Sequence, residues 1–175
     1  MIGESAGRRR SLRLKGYDYT QAGAYFVTIC AQDQACLFGD VVDRCMYLNE
    51  AGHLLATQWN DIPARFAGVE IDTFVVMPNH VHGIIVLPDA ANRVTAKVGP
   101  ALGEVVAAFK SATTVHYIRG VKTSAWLPFR QRLWQRNYYE HVVRNENALD
   151  RIRRYIDENP AYWAYDDENP ERIRA

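Results

Sequence analysis

Residues Glu70 to Val76 and His80 to Leu87 are two runs rich in β-branched and apolar side chains, separated by Met77-Pro78-Asn79 alone. Runs of this composition read as strands, and Pro78 punctuates the chain between them. So short a connector permits antiparallel pairing and forbids a parallel crossover. The remaining segments must fit around this pair. Tyr25-Phe26-Val27-Thr28-Ile29-Cys30 reads as an earlier strand, with a short hairpin partner around Phe38 to Asp43. Leu48, Ala51, Leu55, Gln58, Trp59 and Ile62 recur at spacings of three and four. That period predicts a helix with Asn49 as N-cap and Pro63 at its end. Leu102, Val105, Val106, Phe109 and Thr113 predict a second helix ending near Gly120. Leu133 to Val143 mixes aromatics, Val and Arg and suits a strand or an irregular segment. Asn145 can cap a last helix running through Glu158, with Pro160 just beyond it.

The order is therefore strand, helix, strand, strand, helix, strand, helix. It predicts an α+β fold: a ferredoxin-like or RRM-like antiparallel sheet, helices over one face, and a further helix added at the C-terminus. A chain of 175 residues with 48% apolar content suits one domain with a sizeable core. The expected organisation is a flexible basic arm over 1–20, a folded domain over 21–163 and an acidic tail over 164–175. The polar loop from Pro88 to Pro100 lies within the domain, and no internal repeat is visible.

No run of 18 apolar residues exists, so no membrane span is expected. No apolar stretch precedes Tyr25, which argues against a secretory signal and for a cytoplasmic protein. Cys30, Cys36 and Cys45 are odd in number and match no zinc spacing, so they read as plain thiols. The net charge of +1 conceals an uneven distribution. Arg8, Arg9, Arg10, Arg13 and Lys15 form one basic block without an acid. Residues 119–154 carry a net +6, and residues 155–175 a net −4. Two basic blocks suit a polyanionic partner, and equally a solvated charged face.

Chemistry concentrates at Asn79-His80-Val81-His82-Gly83. In a strand, residues i and i+2 share a face and stand about 7 Å apart at Cα, so His80 and His82 can converge on one metal ion. Val81 faces the other way, Ile84 and Val86 continue the histidine face, and Gly83 is expected to leave room beside the pair. Two buried histidines satisfied by hydrogen bonds are the bland alternative. On the last helix Leu149, Ile152 and Ile156 form an apolar stripe. Tyr155 and Asn159, one turn apart, lie along its edge, where the helix meets the sheet. A core tyrosine with its hydroxyl at the rim is the alternative there.

Taken together these segments resemble a family. Met77-Pro78-Asn79-His80-Val81-His82-Gly83 is similar to the His-hydrophobe-His motif of the single-tyrosine HUH transposases. Leu133-Trp134-Gln135-Arg136-Asn137-Tyr138-Tyr139-Glu140-His141 is similar to the segment that precedes their last helix. Arg154-Tyr155-Ile156-Asp157-Glu158-Asn159-Pro160 resembles their nucleophile helix, and Phe109-Lys110-Ser111 matches a further recurrent stretch. The resemblance covers about Gly16 to Trp163 and is greatest to the REP-associated tyrosine transposases, relatives of the IS200/IS605 enzymes. Asn159 replaces the Gln usual in the insertion-element branch.

The resemblance implies cleavage of single-stranded DNA near hairpins or palindromic repeats, and rejoining of the ends. Tyr155 would be the catalytic nucleophile, leaving a 5′-phosphotyrosine and a free 3′-OH. His80, His82 and Asn159 would hold a divalent metal, Mg²⁺ or Mn²⁺. Such a donor set is softer than the all-oxygen sets typical of Mg²⁺, which favours Mn²⁺. Arg9, Arg10, Lys15, Lys110, Arg132, Arg136, Arg153 and Arg154 are the candidates for DNA contact, because cations neutralise phosphates whatever the sequence. Glu140 and His141 could assist the metal or the phosphate, or serve the structure. The partner would be single-stranded DNA, with no membrane, and the protein a monomer or homodimer. Two other functions stay open. One is a non-catalytic nucleic-acid-binding module; the other is a metal hydrolase in which the histidines activate water.

Overall fold

A computed structural model describes residues 21–89 and 99–172. The basic arm, with Arg9, Arg10 and Lys15, therefore lies outside the described residues, as does most of the Pro88 to Pro100 loop. The elements are β1 (Gly23–Cys30), β2 (Gly39–Val42), β3 (Cys45–Leu48), α1 (Glu50–Asn60), the one-turn α2 (Ile62–Arg65), β4 (Glu70–Val76), β5 (His80–Leu87), α3 (Leu102–Thr123), β6 (Tyr139–Val143) and α4 (Glu146–Glu158). A 3₁₀ segment, Asn159–Tyr165, continues from α4.

Four strands form one antiparallel sheet in the order β4-β5-β1-β6. This is the split βαβ arrangement of the ferredoxin-like fold. β1 and β5 occupy the centre and are buried on both faces. Tyr25, Val27, Ile29, Val81 and Ile85 face α1 and α3, where they meet Leu55, Trp59, Val105 and Phe109 in the main core. Phe26 and Ile84 point the other way and pack with Ile156, Leu149 and Ile152 of α4. The added C-terminal helix thus covers the face that α1 and α3 leave open. Asn49 and Asn145 cap α1 and α4 as expected, accepting from the Gly52 and Ala148 amides at 2.9 Å each.

Several local expectations are corrected. The Phe38 to Asp43 segment does not pair with β1; β2 pairs with β3 as a separate two-stranded sheet. Asp43 and Arg44 have φ of 49° and 66°, the left-handed backbone that closes a two-residue hairpin. Pro63 does not end α1 but opens the next turn, where a missing N–H costs nothing. α3 passes through Gly120, which makes room for the Trp126 ring. Gly83 leaves no room for the histidines: a Cβ there would clash with the Trp59 ring on the opposite face. Of Leu133 to Val143, the strand is Tyr139–Val143 alone. The preceding segment is held by the Lys110 ammonium, which donates to the carbonyls of Gln135, Arg136 and Asn137 at 2.9, 3.4 and 3.1 Å.

Candidate active site

β5 brings His80 and His82 onto the α4 face of the sheet, both buried. Their Nε2 atoms stand 3.0 Å apart. Each ring is held from behind through Nδ1. His82 Nδ1 lies 2.8 Å from the Thr28 hydroxyl, its cross-strand partner on β1. His80 Nδ1 lies 2.9 Å from Asn79 Oδ1. The Asn79 amide nitrogen donates to the Gln34 and Glu168 carbonyls at 3.0 and 2.7 Å. Those two bonds settle which end of the amide faces His80: Oδ1 accepts, so His80 Nδ1 carries the proton and Nε2 keeps its lone pair.

Burial pushes the pKa of both imidazoles below the ordinary histidine value. For His82 the neighbouring His80 adds to the effect. For His80 the Asp166 and Glu168 carboxylates and the Asn159 side chain oppose it. Neutral rings with converging Nε2 atoms are what a cation requires.

α4 supplies the second half of the site. The Tyr155 hydroxyl stands 3.4 Å from His82 Nε2, and its ring meets Phe26 edge-on with centroids 5.9 Å apart. Tyr155 is half-exposed, so its oxygen faces a cleft. Asn159, one turn later, is buried. Its Nδ2 donates to Asp166 at 3.2 Å, while its Oδ1 has no hydrogen-bond partner among the described residues. A buried carbonyl oxygen beside two converging imidazoles makes a donor set that suits a divalent cation.

The first part of the acidic stretch expected to trail from residue 164 instead lies beside the histidines, through Asp166 and Glu168. Trp163 lies against His80, with ring centroids 6.0 Å apart. The possible ligand atoms of His80, His82 and Asp166 all lie within 4.8 Å of one another. The Asp166 carboxylate is itself oriented by Asn159 and by the Glu168 amide at 2.6 Å. Asp166, Asn79 and Thr28 escaped the sequence reading. Asn79 passed as turn punctuation and Asp166 as part of a charge run, while nothing local marks Thr28.

The remaining candidates are dispersed. Arg132, Arg136 and Arg154 are exposed. Arg153 instead forks onto Asp72 of β4 at 3.0 and 2.6 Å and onto Asp150 at 3.1 Å. Burial pushes the Lys110 ammonium down to about 8, which still leaves it mostly charged at neutral pH. Glu140 pairs across from Val27 on β1, and so faces α1 and α3, away from the histidines; it cannot assist a metal there. His141, opposite Phe26, is on the histidine face and exposed.

The antiparallel sheet thus carries two convergent buried histidines, and the last helix brings a tyrosine to them. The sequence matches give the family directly. The model of the IS200-like transposases matches residues 55–159, more than half of the chain, and this protein belongs to that family. An uncharacterized protein of Haemophilus influenzae (strain ATCC 51907 / DSM 11121 / KW20 / Rd) is 37% identical over 174 residues, covering 90% of this chain and 91% of its own. Among solved structures, a REP-associated tyrosine transposase bound to a REP hairpin aligns at 21% identity with a TM-score of 0.48, over 90% of this chain and 73% of that one. A candidate transposase of Deinococcus radiodurans R1 aligns at 20% identity with a TM-score of 0.47, over 88% and 96%. Among the described residues no helix is long and apolar enough to cross a membrane.

Proposed function

We propose that this transposase-family protein nicks and rejoins single-stranded DNA beside hairpins, in the manner of the REP-associated branch, with Tyr155 as nucleophile. The observation that carries the reading is the Tyr155 hydroxyl, 3.4 Å from His82 Nε2 at the open edge of a buried histidine pair. His80, His82 and the Asn159 oxygen would hold Mg²⁺ or Mn²⁺, with Asp166 within reach as a further ligand. A divalent ion bound there supplies charge neutralisation at the scissile phosphate. The protein's own part is to aim Tyr155, exclude water beneath it and keep both Nε2 atoms unprotonated. The Tyr155 oxygen bonds to phosphorus as the bond to the 3′ oxygen breaks. The phenol gives up its proton and the 3′ oxygen gains one, so the phosphotyrosine conserves the bond energy for resealing.

Exposed Arg132, Arg136 and Arg154, with Arg9 and Arg10 of the arm, are the proposed phosphate contacts. A second reading, hydrolysis by an activated water, draws on the Asp166 carboxylate beside the two histidines. One experiment separates them. A labelled, hairpin-flanked single-stranded oligonucleotide is incubated with the protein and Mn²⁺ and run on a denaturing gel. A covalent protein–DNA band that vanishes with Tyr155→Phe and with EDTA is expected. Undiminished cleavage by Tyr155→Phe would establish the hydrolytic reading instead, and binding without any cleavage would leave a binding module.

A further inference from the structure

Antiparallel pairing sets Tyr139 of β6 opposite Thr28 of β1, and Thr28 opposite His82 of β5. Tyr139 therefore stands on the same face of the sheet as the histidines. Its ring meets Phe26 edge-on, with centroids 6.1 Å apart. Phe26 in turn stacks on His82 at 5.4 Å, so a continuous aromatic floor runs from Tyr139 to the candidate metal ligands. Tyr139 is nonetheless 42% exposed, on a strand at the edge of the sheet. Its neighbour Tyr138 packs against the main core and is only partly buried, also reaching the cleft. Tyr139, Tyr155, Tyr162 and Tyr165 all line one cleft of about 650 Å³, a volume in the range of small-ligand sites.

The charge around that cleft is the second observation. Asp166, Asp167 and Glu168 line it together with the tyrosines. Carboxylates repel a phosphate, whereas exposed aromatic faces attract a flat uncharged ring. The exposed tyrosine faces therefore suit the base of a nucleotide, while a phosphate at Tyr155 would need the cation that His80, His82 and Asp166 could hold. Bases stacked within a duplex cannot present a face to Tyr139, so such a platform also discriminates for single strands.

We propose that Tyr139 is the platform on which an unpaired base next to the scissile phosphate stacks, with that phosphate at the Tyr155 end of the same cleft. This inference rests on the DNA-processing reading above. It assigns Tyr139 a positioning role: it orients the strand for Tyr155 and takes no part in the bond changes.

The test uses the full chain in a Tyr155→Phe background, which prevents cleavage, and a hairpin-flanked oligonucleotide carrying 2-aminopurine at successive unpaired positions. Tyr139→Leu keeps side-chain bulk on the strand and removes the π face; Tyr139→Trp restores one. Stacking on Tyr139 is expected to quench 2-aminopurine at one position. Tyr139→Leu should abolish that quench and weaken affinity roughly 5- to 150-fold. It should leave the thermal midpoint unchanged and have no effect on an oligonucleotide abasic at that position, and Tyr139→Trp should restore the quench. Equal affinity and quenching in Tyr139→Leu would overturn the proposal, as would the same loss on the abasic oligonucleotide. If the parent protein binds no single strand at all, the DNA-processing reading fails first, a distinct result.

Discussion

At the scale of single residues, Asn79 does more than its place in a turn implies. Its amide nitrogen is held by two carbonyls, so its oxygen can meet only a donor, and that donor is His80 Nδ1. The turn thereby dictates the tautomer of the candidate ligand beside it. Partners of this kind typically govern metal affinity by about 10- to 100-fold. Asn79→Ala is accordingly expected to weaken Mn²⁺ binding by about that factor, read by electron paramagnetic resonance of the free ion. Wild-type affinity in this variant would show that Asn79 does not set the tautomer. The histidine pair itself was legible in the sequence, because i and i+2 on a strand share a face whatever the tertiary context. Thr28 was not, because its contact with His82 spans 54 positions. Glu140 shows the reverse: next to Tyr139 in the chain, it faces the opposite side of the sheet.

At the scale of elements, the question is what holds α4 against the sheet so that Tyr155 meets His82. Burial of Ile156 supplies the apolar part. Arg153 supplies a polar latch to β4, and its guanidinium lowers the Asp72 carboxyl to about 2. A carboxyl whose folded pKa is depressed contributes stability that is present above its unfolded value and lost as pH falls toward the folded one. The Asp72 contribution is thus expected to be complete at neutral pH and to disappear between about pH 4 and pH 2. Arg153 is 38% exposed on its side chain, so solvent screening keeps the pair's contribution small. Asp72→Asn should lower the thermal midpoint by a few degrees at pH 7 and shrink its difference from wild type below pH 3. A difference that instead grew with acid would contradict the latch. The α4 boundaries, cap and apolar stripe were readable, since each depends on neighbours within four residues. The partner of Arg153 was not: Asp72 lies 81 positions away.

At the scale of the whole molecule, the site is assembled within one chain. β1 and β5 at the sheet centre supply Thr28, His80 and His82, α4 supplies Tyr155, and the segment after it brings Trp163 and Asp166 beside the pair. Under the proposed function, a Tyr155 hydroxyl 3.4 Å from His82 of the same chain predicts action by the tyrosine on its own chain's histidines. Mixing Tyr155→Phe with His82→Ala should therefore regenerate no covalent adduct on the denaturing gel. Restored adduct formation would mean that the tyrosine helix is exchanged between two copies. The sequence alone determined the period of each strand and helix, the caps of α1 and α4, and the pairing of two histidines on one face, because these obey rules acting over two to four residues. Tertiary structure alone decided that β2 pairs with β3, that Gly83 yields to Trp59, and that the first part of the acidic segment lies beside the histidines. Such contacts form where strands pair and ring volumes interlock across long stretches of chain, and no local period records them.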